Sequence, residues 1–134
     1  MSLTESCLSL AIISTMTMVA VPSLVRVRED YVLNAAARQV AAKMYETRIN
    51  AVSRNRDCRL RVSSPVDYLI ECQQPAWTTV SQQMAPQGIH ITANARPEFH
   101  KRGNVAPTAT ITLWDSKGRQ KKVIVNNAGR IRVQ

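Results

Sequence analysis

Arg130 and Arg132 stand two residues apart near the end of the chain, in Gly129-Arg130-Ile131-Arg132. On an extended strand that spacing turns both guanidiniums to one face, about 6.6–7 Å apart, close to the separation of successive phosphates on one nucleic-acid strand. Lys117, Arg119, Lys121 and Lys122 precede them, and the odd-numbered positions are expected to share a face and widen the cationic patch. Each phosphate neutralised adds affinity that falls with salt and reads no sequence, so the chemistry on offer is nonspecific contact with nucleic-acid phosphates. The same residues also read as solvated strand faces on which Lys guards a sheet edge.

Cys58 and Cys72 form a second constellation. In a hairpin centred on Pro65 they fall directly opposite each other, as do Leu60 with Ile70 and Val62 with Tyr68. Opposed residues in an antiparallel pair have Cα atoms roughly 4.5–5.5 Å apart, inside the window for a disulfide. Closing a loop of this length contributes about 3 kcal/mol and implies an oxidising compartment. The alternative is a pair of reduced, half-buried thiols. Metal ligation needs partners that His90 and His100 do not supply, and Cys7 lies in an apolar segment where a buried small residue is the default.

Little else in the chain points to catalysis. The two histidines lie apart from any acid-serine or cysteine pattern, and no phosphate loop, HExxH site, nucleophile elbow or dinucleotide fingerprint occurs. Neither an enzyme nor a cofactor is expected. Trp77 and Trp114 could stack on bases, but a lone Trp ending a β run more often packs.

The elements that must position these groups are legible from charge and period. The chain has 134 residues, enough for one modest domain, and a net charge of +9. All 18 basic residues but only eight of the nine acids fall in residues 26–134, and from residue 99 onward eight basic residues face Asp115 alone. Such an excess biases the partner list towards nucleic acid, anionic lipid or an acidic protein, and charge alone selects none of them.

Between Glu5 and Arg26 lie 20 uncharged residues, Ser6 to Val25. As a helix they span about 30 Å, the thickness of bilayer hydrocarbon. Ser6, Ser9, Ser14, Thr15 and Thr17 dilute the segment, and Pro22 removes a backbone hydrogen bond and is expected to kink it. An acid at the start, with no small-residue cleavage site after the apolar run, argues against a cleaved signal peptide. A carboxylate entering lipid is costly unless paired, and a neighbouring chain's terminal amine is a suitable partner for Glu5; the plainer reading is that Glu5 marks the membrane interface. After Pro22, Leu33, Ala37, Val40, Ala41, Met44, Tyr45, Ile49 and Val52 recur at helical spacing, so segment 3–54 reads as one helix, apolar all round in its first half and amphipathic in its second.

Beyond Asp57 the period becomes two. Strands are expected in the 58–72 hairpin, at Gly88–Ala93, Thr108–Trp114, Gln120–Asn126 and Arg130–Val133, with turns at Asp115-Ser116-Lys117-Gly118 and Asn126-Asn127-Ala128-Gly129. The fold class is therefore α+β: a long N-terminal helix packed on a small antiparallel sheet domain. Residues 1–25 form its apolar half, 26–56 its amphipathic half and 57–134 the β domain.

Met1-Ser2-Leu3-Thr4-Glu5, the apolar stretch, Pro22 and the amphipathic helix resemble the mature N-terminus of type IV pilins and type II secretion pseudopilins. The rest of the chain is similar to the minor-pilin branch called GspH/FimT, on Phe99–Gly103, Ala109–Trp114 and Val123–Arg132. The resemblance implies that a prepilin peptidase cleaves a leader before Met1 and that Met1 is then methylated. It implies that the helix waits in the bacterial inner membrane as a single pass, then packs with copies of itself or other pilins into an extracellular or periplasmic filament, Glu5 neutralising a neighbour's terminal amine. Gly129-Arg130-Ile131-Arg132 fits the G-R-x-R element by which FimT members bind DNA in natural transformation, making Arg130 and Arg132 the contacting pair and Gly129 the turn that presents them. The alternative within the family is a minor pseudopilin of a type II secretion system with no nucleic-acid role.

Overall fold

A computed structural model describes residues 2–134; Met1, the expected methylation site, lies outside the described residues. One helix, α1, runs Leu3–Ser53 and continues through Pro22. The chain divides into two compact units, Met1–Val32 and Leu33–Gln134.

In the first unit the apolar side chains are exposed on every side, Leu3, Leu10, Ile13, Met16, Met18 and Val19 among them. Cys7 is exposed rather than buried, because nothing in a single chain packs on this segment. The most apolar 18-residue window of α1 has a mean hydropathy of 1.9, enough to cross a membrane. Four of its hydroxyls bond back to the helix's own carbonyls: Ser9 donates to Glu5 O at 2.9 Å, Ser14 to Ala11 O at 2.9 Å, Thr15 to Ile12 O at 2.9 Å and Thr17 to Ile13 O at 2.7 Å. These four hydroxyls thus fold back on the preceding turn, which removes most of their cost in hydrocarbon.

In the second unit the helix buries Leu33, Ala36, Ala37, Val40, Ala41, Met44, Thr47 and Ala51. Its inward face is narrower than the sequence suggests: Tyr45, Ile49 and Val52, expected inside, are 45%, 65% and 49% exposed. They lie on a neighbouring flank of the helix, one residue or more past the Met44 line, and the small Ala36 and Ala51 take the inward positions instead. The helix ends in a Schellman arrangement: Asn55 adopts φ 49°, Asn55 N–H donates to Val52 O at 3.3 Å and Arg56 N–H to Ala51 O at 3.0 Å.

Nine strands follow: β1 Cys58–Ser64, β2 Asp67–Gln74, β3 Ala76–Met84, β4 Ile89–Ala93, β5 Glu98–Phe99, β6 Val105–Ala106, β7 Ala109–Asp115, β8 Gln120–Val125 and β9 Ile131–Val133. They form two antiparallel sheets, one in the order β3-β2-β1-β5-β6 and one in the order β4-β7-β8-β9. The β1–β2 register pairs Cys58 with Cys72, Leu60 with Ile70 and Val62 with Tyr68, and the two cysteines are joined in a disulfide with Cα atoms 4.0 Å apart. Met44, Leu60, Tyr68, Phe99, Ile91, Ile111, Leu113, Val123 and Val125 make up the core. Strands β3, β5 and β6 were not foreseen. The first lacks an apolar alternation because its core-side positions, Thr78, Ser81 and Gln83, are polar; the other two are only two residues long.

Candidate nucleic-acid interface

The alternation of β7, β8 and β9 sorts their side chains into a core side and a solvent side. Val123, Val125 and Ile131 are buried, so the intervening residues face out. Arg132 lies opposite Ile124, Ile124 opposite Thr110, and Lys122 opposite Thr112. Lys122 also exchanges backbone hydrogen bonds with Gln134 at 2.8 Å in each direction. Arg130, Arg132 and Lys122 are all exposed and share this outer face, and diagonal neighbours on a sheet stand about 7–8 Å apart.

Arg130 is placed by the turn before it. Gly129 N–H donates to Asn126 O at 2.9 Å, Asn126 N–H to Arg130 O at 3.1 Å, and Arg130 N–H to the Asn126 side-chain Oδ1 at 2.8 Å. Gly129 has φ 77°, and a Cβ built on it meets Gly103 O at 2.5 Å and Arg48 Nε at 2.7 Å. Arg48 reaches from the helix to donate to Gly103 O at 2.9 Å and Ala128 O at 3.3 Å. Helix, 100–104 turn and 126–129 turn are thereby tied together behind the two arginines.

The other three cations, Lys117, Arg119 and Lys121, do not extend this face. Lys117 and Arg119 lie in the connection between β7 and β8, where strand parity does not apply, and Lys121 is half-buried on the same side of β8 as Val123. Arg119 is committed to Asp115: its Nε donates to Oδ2 at 2.8 Å, and the backbone N–H groups of Arg119 and Lys117 donate to Oδ1 at 3.0 and 2.9 Å. Burial raises the Asp115 carboxyl, but the Arg119 guanidinium and these backbone donors outweigh it and hold the group below its ordinary 3.8. Arg119 and Asp115 therefore staple the hairpin, leaving Arg130, Arg132 and Lys122 as the cationic cluster.

Trp114 lies on the same outer face, opposite His90 with ring centroids 6.1 Å apart. Trp77 lies on the other sheet, under the Arg59 guanidinium at 4.1 Å, and Arg59 Nε donates to the buried Glu71 at 2.6 Å. The fold also brings two acids to His100: its Nδ1 lies 3.4 Å from Asp57 Oδ2 and 3.9 Å from Glu98 Oε1. Asp57 Oδ1 accepts from Lys101 N–H at 3.2 Å, so this cluster fastens the end of the helix to the 100–104 turn. The pairing of β1 with β5 across Arg59 and Glu98 creates it, and no local sequence pattern carries that pairing. Glu5 lies exposed in the first turn of α1.

The family described as type II transport protein GspH matches residues 36–129. Among solved structures, the minor pseudopilin EpsH of the Vibrio cholerae type 2 secretion system superimposes with a TM-score of 0.67 at 12% identity, covering 76% of this chain and 95% of that one. The type IV minor pilin FimU of Pseudomonas aeruginosa gives a TM-score of 0.65 at 16% identity, covering 79% and 90%. Comparison with curated proteins finds no significant match.

Proposed function

Because this chain belongs to the GspH family of pilin-like proteins, we propose that it is a noncatalytic subunit of a type IV pilus-like filament that captures double-stranded DNA on the Arg130–Arg132–Lys122 face. The observation that carries the filament role is the first half of α1, apolar and exposed on every side, with Ser9, Ser14, Thr15 and Thr17 turned back onto its own carbonyls. Such a surface is stable only in lipid or against other helices. The helix is held in the inner membrane before assembly and in the core of the filament, outside that membrane, afterwards. Prepilin peptidase and methylation act at Met1, and Glu5 pairs with a neighbour's terminal amine. Glu5→Ala is then expected to abolish incorporation into filaments while the β domain stays folded.

The DNA role is supported by three unopposed cations on one sheet face of a +9 chain, backed by the tie at Gly129. Nothing in the outer face selects a base sequence, so binding is backbone-directed. The second reading, a type II secretion pseudopilin whose exposed face meets other pseudopilins, is favoured by the likeness to EpsH. Retention of duplex DNA by the full-length protein in detergent separates the two.

A further inference from the structure

The longest charge-free stretch of this chain is not the membrane-length helix. Residues 72–95 contain 24 consecutive positions without Asp, Glu, Lys or Arg, in a protein of which 20% is charged. Within that stretch lies β3, nine residues long, hydrogen-bonded to β2 on one side and last in its sheet. Its outer edge presents unpaired backbone N–H and C=O groups, the ready template for another strand.

Proteins guard such edges with shortness, charge or cover, and the other edges of these two sheets are guarded. β6 has two residues; β9 has three and carries Arg132 beside Arg130; Ile91 of β4 donates to Pro65 O at 2.7 Å, so a hairpin tip covers that strand. β3 alone among the described residues is long, neutral and open. Thr78, Ser81 and Gln83 line its core-side positions, with Gln83 Nε2 donating to Ser81 Oγ at 3.0 Å, while Val80 and Met84 are 50% and 69% exposed. Hydroxyl, amide and apolar side chains without charge suit a neutral extended neighbour. The register shift opposite Ile70 and Glu71 makes Val80 the extra residue of a bulge, which leaves a four-residue run on each side for pairing.

We propose that the free edge of β3 accepts an extended, uncharged backbone segment of a different subunit by strand addition. A second copy is disfavoured because β3 against β3 is a two-fold contact that closes after two molecules, and each molecule carries +9. That choice of partner rests on the filament reading; the open edge does not.

The test uses the full-length chain in detergent and, as probe, an end-blocked nonapeptide of alternating Thr and Val. Hydrogen exchange is expected to slow across residues 76–84 when the peptide is added. Affinity is expected to fall about tenfold or more for the same peptide with alternate amides N-methylated, and for Thr79→Lys with Gln82→Lys in the protein, two exposed positions on the outer side of β3 where thermal stability is expected to stay unchanged. No protection, or equal binding of the N-methylated peptide, overturns strand addition. Concentration-dependent dimers of the unmodified chain that the double Lys variant abolishes overturn the choice of a different subunit. Duplex DNA binding, measured on the same samples, reads the Arg130–Arg132–Lys122 proposal separately and is expected to be indifferent to the peptide.

Discussion

Gly129 and Arg48 occupy adjoining space: a Cβ on residue 129 would lie 2.7 Å from the guanidinium Nε of Arg48 and 2.5 Å from the Gly103 carbonyl oxygen that Arg48 holds. The glycine of the Gly129-Arg130-Ile131-Arg132 segment is therefore a packing requirement as well as a turn residue. Gly129→Ala is expected to lower stability by about 2 kcal/mol or more, from the left-handed backbone and the clash together. Gly118, with a similar φ of 80° but nothing within 4 Å, is the control, and its Ala variant is expected to cost only about 1 kcal/mol. Chemical denaturation of the two variants checks both values.

Asp115 gives the β7–β8 hairpin an acid-sensitive joint. Its folded-state pKa is depressed, so the folded protein holds the anion while the unfolded chain takes up the proton at the ordinary 3.8. The contribution is fully present above that value and is lost as pH falls below it. Denaturant midpoints measured down through this range are expected to drop less steeply in Asp115→Asn than in the unmodified chain.

Tyr68 carries the opposite linkage. Burial first, and the charge of Glu46 second, push its phenol up to about 12 from 10.0. The folded state keeps the proton longer than the unfolded one, so stability falls as pH rises from 10.0 towards about 12, by roughly 2 kcal/mol in all. The buried hydroxyl has no hydrogen-bond partner among the described residues. Tyr68→Phe is expected to be neutral or stabilising by about 1 kcal/mol and to remove the alkaline slope, read by ultraviolet tyrosinate titration beside unfolding curves.

The Cys58–Cys72 bridge joins residues 14 apart. Replacing both with Ser, or reducing the bridge, is expected to cost roughly 3 kcal/mol, seen as a lowered thermal midpoint, and alkylation of both thiols in the unreduced native protein would refute the bond.

Much of this architecture is written locally. The pairing of Cys58 with Cys72 follows from alternation about a tight turn, and the β7–β8–β9 strands from apolar residues every second position between turn sequences. What was not legible depends on which face is covered. β3 reads as polar because Thr78, Ser81 and Gln83 take its core-side positions, and Tyr45, Ile49 and Val52 have helical spacing yet fall on a flank that the sheets cover only in part, the Tyr45 hydroxyl donating to Ile131 O at 3.3 Å. The cationic site shows both sides of this. Arg130 and Arg132 share a face as their spacing requires, but Arg119 is taken up by Asp115 and Lys121 turns with Val123, outcomes set by the turn geometry and the core.

The sharpest test of the DNA-capturing account is a salt series of duplex DNA affinity for the full-length protein in detergent, comparing the unmodified chain with Arg130→Ala/Arg132→Ala and with Arg119→Ala. Binding that weakens with salt, is reduced about tenfold or more with a shallower salt slope in the Arg130/Arg132 variant, and changes little in Arg119→Ala is the expected result. Absent binding, or equal binding by all three proteins, would contradict it and leave the secretion pseudopilin reading.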